Sequence, residues 1–359
     1  MKPSKIYIIA GEASGDFLGA AILKKLKELD FDISIIGGEL MKAQGLKSLF
    51  DISEISVGGI VEIIPHIRKI KRLIKKSAQD ILLKNPDILL TIDSPGFNFR
   101  IAKIVRKLNK EIKLIHFVAP SVWAWREKRA KKIAKIYDML LTLFDFEPPY
   151  FEKYGLNTIF VGHPAIEYFS PMPAEKEDFI LLMPGSREQE IKALLPIFLQ
   201  SVENRPEKII IPTIPGVVEL IRTILGNRQI EIETSEDKKR ELYQKAKFAI
   251  VASGTAVLQL ALSNCPMVVC YKLSSVTYNI LKYLVNTKYV SLVNIILNKQ
   301  SVPELIQNNC TAENIILNIN PIHFSKQISD FSELKKRLMN KNDLPTSAIL
   351  KSILTLSRS

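Results

Sequence analysis

The sequence predicts an α/β protein of two tandem units, each a parallel sheet covered by helices on both faces. Three observations carry this. Short β-prone apolar runs alternate with amphipathic stretches of helical period, the pattern of strand–helix–strand units. A proline- and charge-rich stretch, EYFSPMPAEKED (167–178), interrupts the alternation midway, and the alternation then restarts. A chain of 359 residues with 47% hydrophobic content suits two domains better than one and excludes disorder.

The elements follow in order. The run from Lys5 to Ile9 leads through GEASGD into DFLGAAILKKLKEL, whose apolar positions recur at helical spacing. ISIIGG comes next, then the basic amphipathic stretch IRKIKRLIKKSAQDILL, the strand ILLTID and a helix near FNFRIAKIVRKL. The strands KLIHFVA, MLLTLF and NTIFVGHP complete the first unit. Beyond the linker, FILLMPGS opens onto the helix REQEIKALLPIFLQSV, followed by KIIIPTI, a helix from about Val217, EIETS and KRELYQKA. FAIVASG, TAVLQLALS and PMVVCYK then read as strand, helix and strand. SSVTYNILKYLVN and the last stretch look helical. The expected boundaries are 1–165, 166–325 and a helical segment 326–359 that packs back on the first domain or is exchanged in a dimer. Both Rossmann-like sheets should present their strand-end loops to an interdomain cleft, where ligands of open α/β sheets bind.

A net charge of +13 implies an anionic partner: nucleic acid, a lipid surface or a phosphorylated substrate. Cys265, Cys270 and Cys310 lack metal spacing and read as buried thiols of a reducing compartment. The histidines His66, His116, His163 and His323 are equally scattered, so no zinc site is expected. MKPSKIYIIAGEASGD has too short an apolar run for a signal peptide, which points to a protein that stays inside the cell. Residues 248–271 are uncharged and long enough to span a membrane, but Ser253-Gly254-Thr255 and Ser263-Asn264-Cys265-Pro266 divide them into strand, helix and strand.

Four loops carry candidate chemistry. GEASGD, Gly11 to Asp16, joins strand to helix, where backbone N–H groups can face an anionic or hydroxyl-rich ligand; a plain glycine turn is the alternative. It matches neither G-x-G-x-x-G nor a P-loop, which disfavours NAD and ATP. In MPGSREQEI, Arg187 at a helix start can pair with a diphosphate, or simply with Glu188 or Glu190. VASGTAVLQ repeats the strand, small-residue turn and helix, with Ser253 or Thr255 donating to a phosphate or capping the helix. TIDSPGFNFR puts Asp93 at a strand's C-terminal end, as a general base toward a sugar hydroxyl or as a cap of the next helix. His163 in VGHP reads as a structural histidine. SVWAWREKRAKKI holds both tryptophans, Trp123 and Trp125, before a basic run, and follows a strand end.

AGEASGD, SVGGIVEII, IDSPGFNFRIAK, APSVWAWREKRAKKI, FEPPYFEKYG, VGHP, LLMPGSREQEI and VASGTAVLQLAL occur in the order and spacing of the lipid-A-disaccharide synthase family, which the chain resembles from residue 6 to about 310. The resemblance implies an inverting GT-B glycosyltransferase without metal or cofactor. Its donor would be UDP-2,3-diacylglucosamine, its acceptor 2,3-diacylglucosamine 1-phosphate, and its products a β-1,6-linked disaccharide 1-phosphate and UDP. It also implies peripheral attachment to the anionic cytoplasmic face of the inner membrane, and family members can dimerise by exchanging C-terminal segments. Asp93 matches the family's candidate base. Gly185, Ser186, Arg187, Ser253, Gly254, Thr255, Gln259 and Asn294 fall to UDP; Glu12, Ser14, Gly15, Asp16, Ser56, Trp123 and Trp125 fall to the acceptor and lipid region.

Three departures limit the transfer. Gln259 stands where related glycosyltransferases often carry a ribose-holding glutamate, Ser56-Val57-Gly58-Gly59 lacks the family's methionine, and Ser291-Leu292-Val293-Asn294 lacks its proline. Two other readings compete: a GT-B UDP-sugar 2-epimerase, whose carboxylate and histidine set is not seen, and a noncatalytic basic RNA-binding protein. The second leaves two Rossmann-like sheets unexplained and shows no RNA-binding motif, so no nucleic-acid partner is expected.

Overall fold

Apolar runs become strands where both faces are covered. In the computed structural model, which describes residues 4–55, 67–124, 127–169, 175–272, 287–340 and 343–357, the strands ILLTI, MLLT, FILLM and FAIVA are buried at every position. The chain divides into two compact units, Met1–Pro164 with Leu338–Ser359, and Ala165–Arg337.

Unit 1 runs β1 (Ser4–Ala10), α1 (Ala13–Leu26), β2 (Phe31–Ile36), α2 (Glu39–Lys42), α3 (Ile67–Lys84), β3 (Ile88–Ile92), α4 (Pro95–Leu108), β4 (Lys113–Phe117), α5 (Arg129–Ile133), β5 (Met139–Thr142), α6 (Pro149–Glu152) and β6 (Asn157–Phe160). Its sheet is parallel throughout, in the order β2-β1-β3-β4-β5-β6. The order reverses between β1 and β3, so the loops leaving those two strands open a crevice at the carboxyl edge. α3 shows how the basic stretch folds. Leu73, Ile74, Ala78 and Ile81 face the core, while Arg68, Lys71, Arg72, Lys75 and Lys76 stay exposed.

Unit 2 continues with α7 (Ala165–Phe169), β7 (Phe179–Met183), α8 (Glu188–Ser201), β8 (Lys208–Pro212), α9 (Val218–Leu225), β9 (Glu231–Glu233), α10 (Glu236–Lys245), β10 (Phe248–Ala252), α11 (Thr255–Leu262), β11 (Met267–Tyr271), α12 (Leu292–Leu297), β12 (Glu304–Ile306), α13 (Ala312–Asn318) and α14 (Pro321–Leu338). Its parallel order is β12-β11-β10-β7-β8-β9, reversing between β7 and β10. The uncharged stretch 248–271 is thus β10, α11 and β11. Among the described residues no helix is long and apolar enough to cross a membrane.

Two elements differ from the sequence reading. β12 is a sixth strand within SVPELIQ, too short to show a periodicity. The helical segment expected over 326–359 is divided: α14 stays with unit 2 up to Arg337, and only from Leu338 does the chain rejoin unit 1. The cause lies in α14 itself. Gln327 brackets Met267, accepting its N–H at 2.9 Å and donating to its carbonyl at 3.1 Å, while Phe331 and Leu334 are buried. In unit 1 the returning chain is received by the stretch after β6. The His163 N–H donates to the Leu338 carbonyl at 2.9 Å, and Asn340 Nδ2 donates to the Phe160 carbonyl at 2.9 Å. Gly162, at φ +86°, has no room for a side chain, since a Cβ would stand 2.7 Å from the Leu338 carbonyl. The last helix, α15 (Pro345–Ser357), then packs on α1. SSVTYNILKYLVN (274–286) lies outside the described residues.

Candidate active site

At the carboxyl edge of unit 1, the residues leaving β3 and β4 are held in a backbone conformation that non-glycine residues seldom adopt. Asp93 has φ +50°, Ser94 +45° and Val118 +77°. Each costs on the order of 1–3 kcal/mol, most for a β-branched residue such as Val118. Local hydrogen bonds impose the geometry. The Asp93 N–H donates to the Phe117 carbonyl at 2.9 Å, the Val118 N–H to the Leu141 carbonyl at 3.1 Å, and Asn98 Nδ2 to the Ile92 and Asp93 carbonyls at 3.0 and 2.8 Å.

The GEASGD loop meets this turn. A Cβ on Gly11 would lie 2.5 Å from Ser94 Oγ, and one on Gly15 would lie 3.2 Å from the Ile92 carbonyl, so glycine allows β1, α1 and β3 to close together. Ser14 Oγ donates to Asp93 Oδ2 at 2.8 Å. Asp93 does not cap α4: the N-cap is Ser94, and its side chain makes no cap bond. Its half-exposed carboxylate instead stands at the topological switch point, where a hydroxyl-bearing ligand can reach it. Below it, Thr91 Oγ1 lies 2.8 Å from His116 Nδ1 and donates to the Tyr137 hydroxyl at 3.0 Å. Burial pushes the His116 imidazole down to about 3, so this brace beneath Asp93 is uncharged. Histidine spacing in the sequence gave no hint of it.

Glu12 is exposed as the N-cap residue of α1. Asp16 is committed inside the fold. It is 4% exposed and accepts the N–H groups of Gly38 at 2.7 Å, Leu40 at 2.9 Å and Met41 at 3.1 Å, so its carboxylate pins the loop after β2 to α1. Trp123 is half-buried, its Nε1–H donating to Glu147 Oε1 at 3.3 Å and its ring meeting Phe146 edge to face. The calls on Ser56 and Trp125 lie outside the described residues.

Unit 2 presents its own switch point, between β7 and β10, with the two small-residue loops on either side. Gly185 has φ +106°, and a Cβ there would lie 2.4 Å from Glu190 Oε2. Ser186 and Arg187 are exposed, and α8 starts at Glu188, one residue later than expected, with Arg187 as its extended N-cap. The Arg187 side chain is 75% exposed and pairs with Glu190 at 3.1 Å. Across the switch point, Gly254 is the exposed N-cap of α11, without a side-chain cap. Ser253 Oγ is turned to the Val290 carbonyl at 3.3 Å, Thr255 is exposed, and Gln259 follows one turn later, half-buried. The start of α11 therefore offers main-chain N–H groups to solvent rather than to a capping hydroxyl.

Asn294 is likewise committed inside the fold. It is fully buried, donates to the Val302 carbonyl and Glu304 Oε1 at 2.9 and 2.8 Å, and accepts the Ser301 and Val302 N–H groups at 2.8 and 2.9 Å. All four hydrogen-bonding positions of its amide are used within unit 2, which leaves none for a nucleotide. The short strand β12 and its Glu304, unseen in the sequence, are what Asn294 braces. Two grooves, of about 420 and 390 Å³, lie on α8 and α9 and on α3.

Two doubly wound sheets with ligand crevices at their switch points define a GT-B-type enzyme, and solved structures agree. The S. aureus MnaA–UDP co-structure matches with a TM-score of 0.67 at 16% identity, covering 98% of this chain and 97% of that one. The Acinetobacter baumannii MurG structure matches at 0.62 and 14%, covering 98% and 100%. At these identities the likeness is one of fold. Residues 6–343 match the family described as lipid-A-disaccharide synthetase, and the chain belongs to that family. The lipid-A-disaccharide synthase of Rickettsia bellii (strain OSU 85-389) is 40% identical over 374 aligned positions, covering 98% of both chains. That of Rickettsia prowazekii (strain Madrid E) is 42% identical over 332, covering 88% of this chain and 87% of its own.

Proposed function

We propose that this protein transfers 2,3-diacylglucosamine from its UDP donor to 2,3-diacylglucosamine 1-phosphate, forming the β-1,6 disaccharide 1-phosphate and UDP. Family membership supports the reaction, and the Ser14–Asp93 pair at the switch point of unit 1 carries the mechanism. Asp93 takes the proton of the acceptor 6-hydroxyl as its oxygen attacks the anomeric carbon of the donor. The bond from that carbon to the diphosphate breaks with inversion, its electron pair leaving on the β-phosphate oxygen. Ser14 and the strained 93–94 turn hold the carboxylate in place. Arg187, with Gly185, Ser186 and the N–H groups at Ser253, Gly254 and Thr255, receives the departing diphosphate, and Gln259 is placed one turn on for the ribose.

The exposed cations of α3 are the surface through which the protein meets the anionic inner face of the inner membrane, with Trp123 and Glu12 on the acceptor side. A homodimer formed by exchange of α15 would reproduce the packing on α1 between two copies. The decisive assay mixes purified full-length protein with both diacylglucosamine substrates and chelator. Disaccharide 1-phosphate and UDP should appear together; folded protein that yields neither overturns the reading.

A further inference from the structure

The carboxyl of Glu147 has no part in the transfer described, yet it is 2% exposed between β5 and α6. Its described partners are N–H donors: Phe144 N–H reaches Oε2 at 3.1 Å and Trp123 Nε1–H reaches Oε1 at 3.3 Å. An aromatic chain surrounds them. Trp123 meets Phe146 edge to face at 5.4 Å, Phe146 stacks on Phe144 at 5.6 Å, and Phe144 tilts against His163 at 6.2 Å. The residue Trp123 follows β4, whose end is tied to Asp93 through the Phe117 carbonyl and carries the strained Val118.

We propose that Glu147 is a positioning residue for the acceptor side of the transfer, fixing Trp123 and with it the turn that leaves β4 beside Asp93. This rests on the transferase reading for its kinetic consequence, but not for the Glu147–Trp123 coupling itself. Burial pushes the Glu147 carboxyl up to about 8, and Asp145 in the same turn pushes the same way. His163, from the stretch after β6, is held down to about 4 by burial and is neutral over that range, and the Glu127–Lys153 ion pair of the neighbouring loop is self-compensated. Below about pH 8 the carboxyl is neutral and the cluster closed. Above it, the N–H bonds to the carboxylate strengthen, but the cost of burying the charge exceeds that gain, and water entering to hydrate the anion loosens the Trp123 turn.

Both tryptophans of the chain lie at 123 and 125, so emission excited in the tryptophan band reports this stretch of sequence rather than the tyrosines elsewhere. Wild-type emission should shift to the red with a midpoint near pH 8, and the shift should vanish in Glu147→Gln. In steady-state assays, Glu147→Ala should raise the acceptor KM roughly tenfold, the effect of one lost hydrogen bond, with the donor KM within about twofold. Glu147→Gln should fall between, with an acceptor KM that no longer rises above pH 8. A fluorescence titration that survives in Glu147→Gln, or donor and acceptor KM values that move together, overturns the proposal. If Glu147→Ala fails to fold, the glutamine variant decides alone. Wild-type protein without turnover would remove the transferase reading and the kinetic half with it, while the fluorescence titration still decides the coupling.

Discussion

The carboxyl edges of the two sheets are built on opposite principles. Unit 1 forces Asp93, Ser94 and Val118 into left-handed backbone and ties the chain around them with side-chain hydrogen bonds from Ser14, Asn98, Asp16 and the Thr91–His116–Tyr137 brace. Unit 2 uses glycine where the chain must turn, leaves Arg187 exposed, and starts α11 at an uncapped Gly254. A group that accepts a proton must be held still, and strain is tolerated where the surroundings over-determine it. A site that receives a diphosphate needs donors aimed outward and free to close on it. The difference thus separates an edge suited to chemistry from one suited to binding.

The largest effect should come from breaking the rigid edge. Asp93→Asn keeps the shape and removes the proposed base, so turnover should fall about 10²- to 10⁴-fold while UDP affinity by calorimetry is unchanged. Loss of folding instead would make Asp93 structural.

The second break is by pH, because the buried groups held near 3, 4 and 8, His116, His163 and Glu147, lie in unit 1. His116 and His163 are held at about 3 and about 4, below their ordinary value, so the stability they contribute is present above about pH 6.5 and lost as pH falls. Glu147, raised to about 8, has the opposite sign: its contribution is full below its ordinary value of 4.5 and declines as pH rises to about 8. From pH 6.5 downward two histidines outweigh one carboxyl, and from 6.5 upward the carboxyl acts alone. Unit 1 should therefore be most stable near pH 6.5 and lose roughly 2 kcal/mol by pH 5 or pH 8. Urea unfolding followed by tryptophan emission, which reads unit 1 only, checks this. A flat profile would mean that these groups are hydrated in the folded chain.

How much of this contrast the sequence disclosed follows from how local each feature is. Strand, loop and helix alternation is a local pattern, and β1 to β11 and the four candidate loops could be read from it. Sheet order is not local, and only the order reveals that the GEASGD loop and Asp93 flank one switch point while Gly185 and Gly254 flank another. Burial partners are not local either. Asp16 and Asn294 have the residue types of ligand contacts, but backbone groups 22 and 8 residues away consume them. Glu147 was inside a quoted motif, FEPPYFEKYG, with nothing in its neighbours to say that Trp123 would cover it.

The open edge should respond more gently. Arg187→Ala removes charge-assisted hydrogen bonds of about 1.5–3 kcal/mol, so UDP should bind roughly 10- to 100-fold more weakly, with the loss shrinking at high salt. Unchanged affinity would count against a diphosphate role.

The smallest effect separates binding from its competitor. Glu190 lies over Gly185 with an 18% exposed side chain and pairs with Arg187, while burial of the Tyr271 hydroxyl and then the Glu190 charge push that hydroxyl up. On the proposed reading, an incoming diphosphate takes Arg187 from that carboxylate. An exposed pair of this kind contributes about 0.2–1 kcal/mol, so Glu190→Gln should tighten UDP binding by a factor of roughly 1.4 to 5. The gain should depend on Arg187: in the Arg187→Ala background, Glu190→Gln should leave the affinity where Arg187→Ala put it, which a double-mutant cycle in calorimetry measures. Weaker binding in the single variant would mean that Glu190 orients Arg187 for the ligand, and the openness of this edge would then be as constructed as the rigidity of the other.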